Sequence, residues 1–161
     1  MATIQQNDRT ADLTGRRRTH REARAPAVVA RYLGALALLA MGVIHLVEYA
    51  GNSYSQVPTI GTLFLLNFIG ATTLAVALMS PLDRLGGRRG GQLLVLLAAA
   101  GAAMAAVSIV FLLISENTAL FGFREAGYRS AIVLALIAEG VAVACLTGFV
   151  ASRLLPQRAS T

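Results

Sequence analysis

Four apolar runs organise this chain, separated by short polar segments: Ala27–Tyr49, Ile60–Met79, Leu93–Ile114 and Ala131–Ala151. Each is about 20 residues long, which at ~1.5 Å per residue matches a hydrocarbon core of ~30 Å. No water reaches that core to satisfy backbone N–H and C=O groups, so the runs predict helices. Prolines punctuate them: Pro26 and Pro58 precede the first and second runs, Pro81 follows the second and Pro156 the fourth. The expected fold is therefore all-α, an integral membrane four-helix bundle of two hairpins. A basic cytoplasmic tail over residues 1–26, expected to be disordered, precedes it, and residues 156–161 form a short C-terminal tail.

Composition agrees with this class. Of 161 residues, 56% are hydrophobic and 14% charged, against about a quarter charged in a soluble domain. The mean hydropathy is +0.65. All 14 basic residues are arginine, which together with abundant Ala, Gly, Leu and Val suggests a high-GC bacterial genome. The single cysteine, Cys145, lies in an apolar run and excludes an intrachain disulfide. It reads as a small buried hydrophobe.

The net charge of +6 raises the question of nucleic acid, but its placement answers it. Seven arginines lie in the chain up to Arg31, three (Arg84, Arg88, Arg89) in the second connection and two (Arg153, Arg158) at the C-terminus. Only Arg124 and Arg129 lie in the opposite connections, a split of twelve to two. By the positive-inside rule both termini and the connection Ser80–Gln92, a tight glycine-containing turn, face the cytoplasm of a bacterial inner membrane. No nucleic-acid role is expected; the tail's arginines suit anionic lipid instead. The triplet Arg16–Arg18 resembles a twin-arginine signal, but Thr19-His20-Arg21-Glu22 follows it and the apolar run is long, which favours a retained helix.

Helix association in lipid relies on small residues and polar contacts. Gly140, Ala144 and Gly148 form a small-residue stripe on the fourth helix, and Ala98, Ala102 and Ala106 one on the third. These two stripes are expected to pack together.

Ionisable groups inside a span cost about 2.5–3.5 kcal/mol at the helix centre and are candidates for function. His45, Glu48 and Glu139 qualify, and Asn67 and Ser108 come out at similar depth, so each helix places a polar group in the outer half of the bilayer. His45 and Glu48 are i, i+3 neighbours and share a face with Tyr49. That pair suits weak metal ligation, proton or ligand handling, or plain hydrogen bonding. Glu139 is expected to bond to Asn67 or Ser108 across the bundle, or to act functionally. A bis-histidine haem would need a second chain, since His45 is the one histidine in a span. The Ser115–Ser130 connection mixes aromatics with Glu116, Arg124, Glu125 and Arg129 and reads as an interfacial lid, its arginines able to pair with Glu48, Glu116 or Glu139.

The stretch His45-Leu-Val-Glu48-Tyr49, with Glu116-Asn117 and Leu120-Phe-Gly-Phe-Arg-Glu-Ala-Gly-Tyr-Arg129, resembles small four-helix membrane proteins of unknown function from high-GC bacteria over roughly residues 27–155. That resemblance implies no activity, cofactor or catalytic residue. The expected function is a small non-enzymatic membrane protein, an accessory or subunit that packs within a membrane complex or with its own copies. The alternative is handling of a proton, metal or small solute by the outer polar cluster, and a membrane enzyme using His45 ranks third.

Overall fold

The computed structural model describes residues 2–52, 54–119, 121–122, 127 and 129–155, with backbone alone for residues 2–24. The described residues form five helices: α1 (Ala2–Gly51), α2 (Pro58–Met79), α3 (Leu82–Leu85), α4 (Gly87–Asn117) and α5 (Ser130–Leu154). A 3₁₀ turn, Tyr54–Gln56, joins α1 to α2. Four segments are long and apolar enough to cross a membrane: Ala25–Gly51 of α1, and all of α2, α4 and α5. The described residues contain no strand.

The four spans fall where hydropathy places them, with each helix running a few residues past its apolar run. Two departures follow from backbone energetics. α1 continues back to Ala2 where an irregular tail is expected, through a stretch rich in the helix formers Ala and Arg, and takes Pro26 inside it. Between α2 and α4 the chain does not make one tight turn. Pro81 opens the short α3, and α4 begins at Gly87, whose φ of 53° costs glycine little. Pro58 occupies the first turn of α2, where its missing N–H breaks no helical bond.

α1 packs along both α2 and α5, α4 packs along α5, and α2 meets α4 over a shorter stretch. The inward seam of α1 is Arg31, Ala35, Leu38, Met41, His45 and Glu48, a spacing of three and four residues that keeps one face of a helix turned inward. Leu38 and Met41 join Ala71, Ala75 and Leu78 of α2, Leu94, Ala98 and Ala105 of α4, and Ala142, Leu146 and Phe149 of α5 in a continuous core. Glycine sets two of the close approaches. A Cβ at Gly34 would fall 2.5 Å from Leu146 of α5, and one at Gly42 3.3 Å from Ala71 of α2.

One packing expectation is corrected. Gly140, Ala144 and Gly148 all face outward, and a Cβ at either glycine would meet nothing within 4 Å. The face of α5 that turns inward is Ala135, Ala138, Glu139, Ala142, Leu146 and Phe149, one position round the helix. Along the small-residue stretch of α4, Ala98, Gly101 and Ala105 are buried, with Ala102 and Ala106 half-buried beside them. Leu and Phe fill the α5 interface because dispersion contacts scale with the atoms brought together. Cys145 is half-buried.

Candidate functional site

Two polar layers occupy the end of the molecule where α1 finishes and α5 begins. The deeper layer takes one side chain from each spanning helix. Ser108 of α4 stands at its centre. The Ser108 hydroxyl donates to Glu139 Oε1 at 2.5 Å, Asn67 Nδ2 donates to Ser108 Oγ at 3.3 Å, and His45 Nε2 lies 3.4 Å from the same oxygen. Glu139 Oε1 is 3.9 Å from His45 Nε2, so the two ionisable groups face each other directly. Glu139 is 2% exposed and His45 9%.

The hydrogens of this layer follow from its acceptors. His45 Nδ1 lies 2.9 Å from the Met41 carbonyl on its own helix, an acceptor with no proton to offer, so Nδ1 carries the hydrogen. Ser108 has one hydrogen and gives it to Glu139, so it accepts from Asn67 and not the reverse. A further proton on the pair would sit on Glu139 as an acid or on His45 Nε2 as an imidazolium opposite a carboxylate. With that proton shared, the layer carries no net charge, the arrangement least costly among apolar helices.

The second layer lies one turn of α1 nearer the helix end. Glu48, 5% exposed, accepts from Asn52 Nδ2 at 2.7 Å and from the Arg129 guanidinium at 3.1 Å. Arg129 also donates to the Tyr54 hydroxyl at 2.7 Å. The Tyr54 ring stacks on Phe64 at 4.8 Å, and Phe64 meets the His45 ring at 5.0 Å, so aromatic contacts join the layers. Arg129 is the residue before α5.

Both layers line one cavity of about 420 Å³ with mostly apolar walls, among them Ile44, Leu63, Phe111 and Ile132. That volume lies in the range of small-molecule sites. Two of its lining residues each carry a buried atom without a hydrogen-bond partner: Asn67 Oδ1 and Glu139 Oε2.

The sequence candidates divide as follows. His45, Glu48, Asn67 and Glu139 all line the cavity, as does Arg129. Glu116 lies at the end of α4 outside the lining, with one carboxylate oxygen buried and unpaired. Arg124 lies outside the described residues. His45 and Glu48 share a face of α1 yet hold different partners. No group of three His, Cys, Asp or Glu among the described residues could hold a metal ion. The layer contains a serine, a histidine and a carboxylate, but the serine stands between the other two. A hydrolytic triad needs the histidine there, to take the serine's proton while the carboxylate orients it.

Sequence reading missed Tyr54, a polar residue in a connection whose burial depends on Phe64 and Arg129 folding over it. It also missed Arg31, read as one more basic residue of the tail. Arg31 is 4% exposed, donates to the Tyr32 hydroxyl at 2.7 Å and faces Asp83 at 3.7 Å at the opposite end of the molecule. Its place inside the first apolar run was the available signal.

No protein-family model, curated protein or solved structure matches the chain. Its function is therefore read from the geometry.

Proposed function

We propose that this chain is a multi-pass plasma-membrane protein, a four-helix bundle with both termini cytoplasmic, that binds a small lipid-soluble molecule in the outer half of the bundle. One observation carries the reading: the cavity of about 420 Å³ has mostly apolar walls, and two of its lining residues, Asn67 and Glu139, each carry a buried polar atom without a hydrogen-bond partner. Leaving such an atom unsatisfied costs about 1–3 kcal/mol, and a bound molecule with a matching group recovers it. The twelve-to-two division of arginines supports the orientation. In that orientation the basic N-terminal segment lies against anionic lipid, at about 1 kcal/mol per arginine near the surface.

A second reading, an accessory subunit within a membrane complex or a homo-oligomer, is favoured by the outward Gly140, Ala144 and Gly148, since small residues facing lipid let another helix approach. The cavity needs no partner, so the binding reading takes precedence.

The test compares full-length protein with Ala135→Phe, which places a ring in the cavity from α5 where Ala135 lines it. Both are purified from their own membranes, and the small molecules that accompany each are identified by mass spectrometry. A molecule enriched with the native chain and lost from Ala135→Phe is expected. Equal small-molecule content in both preparations, with no change in Tm when total membrane lipid is added to the native chain, refutes the reading.

A further inference from the structure

The walls of the cavity differ in exposure, and the difference gives its direction of opening. Toward the helix ends it is closed: Tyr54, Ile60 and Ser115 are buried, and Arg129 bonds to Glu48 and Tyr54 across that side. Toward α2 and α4 it is not. Leu66 of α2 and Val107 of α4 both line the cavity and are 56% and 51% exposed. Both lie within spanning helices, so what they are exposed to is lipid. α2 and α4 do close on each other deeper in, where Met104 fills the space that a Cβ at Gly70 would need. The gap is thus a side window on the outer side of the Asn67–Ser108 bond, which joins α2 to α4, and of Gly70 and Met104 beneath it.

The floor behind this window states what it will accept. Asn67 Nδ2 is committed to Ser108, so the free atom, Oδ1, is an acceptor that requires a donor. Glu139 Oε2 is also without a partner; protonated there the carboxyl donates, and ionised it accepts. With Glu139 neutral, a hydroxyl donates to Asn67 Oδ1 and accepts from Glu139 Oε2; with Glu139 ionised both atoms accept, and its single hydrogen serves one of them. A ketone or ester oxygen offers Asn67 nothing, and a carboxylate would face Glu139 with like charge.

We propose that the cavity admits its ligand sideways from the bilayer, between α2 and α4, and that the ligand is an alcohol or phenol carried on an apolar chain. This rests on the binding reading above and adds its route and chemical class. The hydroxyl seats between Asn67 Oδ1 and Glu139 Oε2, and the chain leaves past Leu66 and Val107 into lipid.

The experiment uses full-length protein in lipid nanodiscs and a C12 alcohol bearing a diazirine in its chain. Matched probes replace the hydroxyl with a methyl ether, a primary amine or a carboxylic acid. After photolysis, adducts are mapped by mass spectrometry. The alcohol is expected to label Leu66, Val107 or Phe111 at least about tenfold more than the ether, and Asn67→Leu to remove that preference, since one unmatched buried hydrogen bond is worth a factor of that order. Leu66→Trp with Val107→Trp, at the window, is expected to abolish labelling of the cavity by the alcohol while labelling of outward α5 residues persists. Preferential cavity labelling by the amine or the acid overturns the hydroxyl assignment and leaves the binding reading standing. Undiminished cavity labelling in the double tryptophan variant overturns the lateral route. If no probe labels the cavity above the level of outward α5 residues, this proposal and the binding reading fall together.

Discussion

Replacing Ser108 by alanine deletes one oxygen and leaves three other side chains without their shared partner. The 2.5 Å bond to Glu139 is the short one, and the contacts to Asn67 and His45 are long at 3.3 and 3.4 Å. Interhelical hydrogen bonds in membranes average about 0.6 kcal/mol and reach about 1.7. Taking the upper figure for the short bond and the average for each long one, Ser108→Ala is expected to destabilise by about 3 kcal/mol. Thr73→Ala is the control, because Thr73 is exposed and its hydroxyl bonds within its own helix to the Ile69 carbonyl at 2.7 Å; it should cost under about 0.5 kcal/mol. Reversible unfolding of full-length protein in mixed micelles gives both values. A double-mutant cycle of Ser108→Ala with Glu139→Leu then isolates the pair, with an expected coupling of about 1.7 kcal/mol. Should Ser108→Ala prove as mild as Thr73→Ala, or the cycle close with no coupling, the four-helix polar layer is not a connected network and the proton inventory built on it fails.

Three further outcomes are expected. Reporter fusions after Arg89 and after Thr161 should read cytoplasm and fusions near Ser55 and Gly127 outside; a cytoplasmic signal at Ser55 overturns the orientation. Gly34→Ala should destabilise by about 1–3 kcal/mol, since its Cβ collides with Leu146, whereas Gly140→Ala, open on all sides, should leave Tm unchanged or raised; equal effects of the two would place α1 and α5 in a different register. Arg129→Gln should cost only about 0.5–1 kcal/mol, because its side chain is 42% exposed and the Glu48 bond is partly screened, yet it should increase protection-sensitive labelling of Glu48 by a water-soluble carboxyl reagent, and unchanged labelling would argue against Arg129 closing that end.

The four spans were legible in the chain because crossing a bilayer is a one-dimensional demand: about 20 apolar residues in a row, whatever their neighbours. The prolines at Pro58 and Pro81 mark real helix ends for an equally local reason, the missing N–H. Depth is one-dimensional too. Counting residues along each helix was enough to put His45, Asn67, Ser108 and Glu139 near one level.

Rotation about each helix axis was not legible. In water a helix turns its apolar face inward, so the sequence reveals the buried side; among lipids every face of α5 is apolar, and polarity distinguishes inside from outside only where an ionisable group sits. Glu139 therefore signalled its own face correctly, while Gly140, Ala144 and Gly148, with no such cue, were assigned inward and lie outward. Ser108 as the common partner of three helices, Tyr54 and Arg129 as the cover of the site, and the window beside Leu66 and Val107 all depend on how α2 and α4 meet. That meeting joins residues 41 positions apart in the chain at Asn67 and Ser108, and only the packed structure decides it.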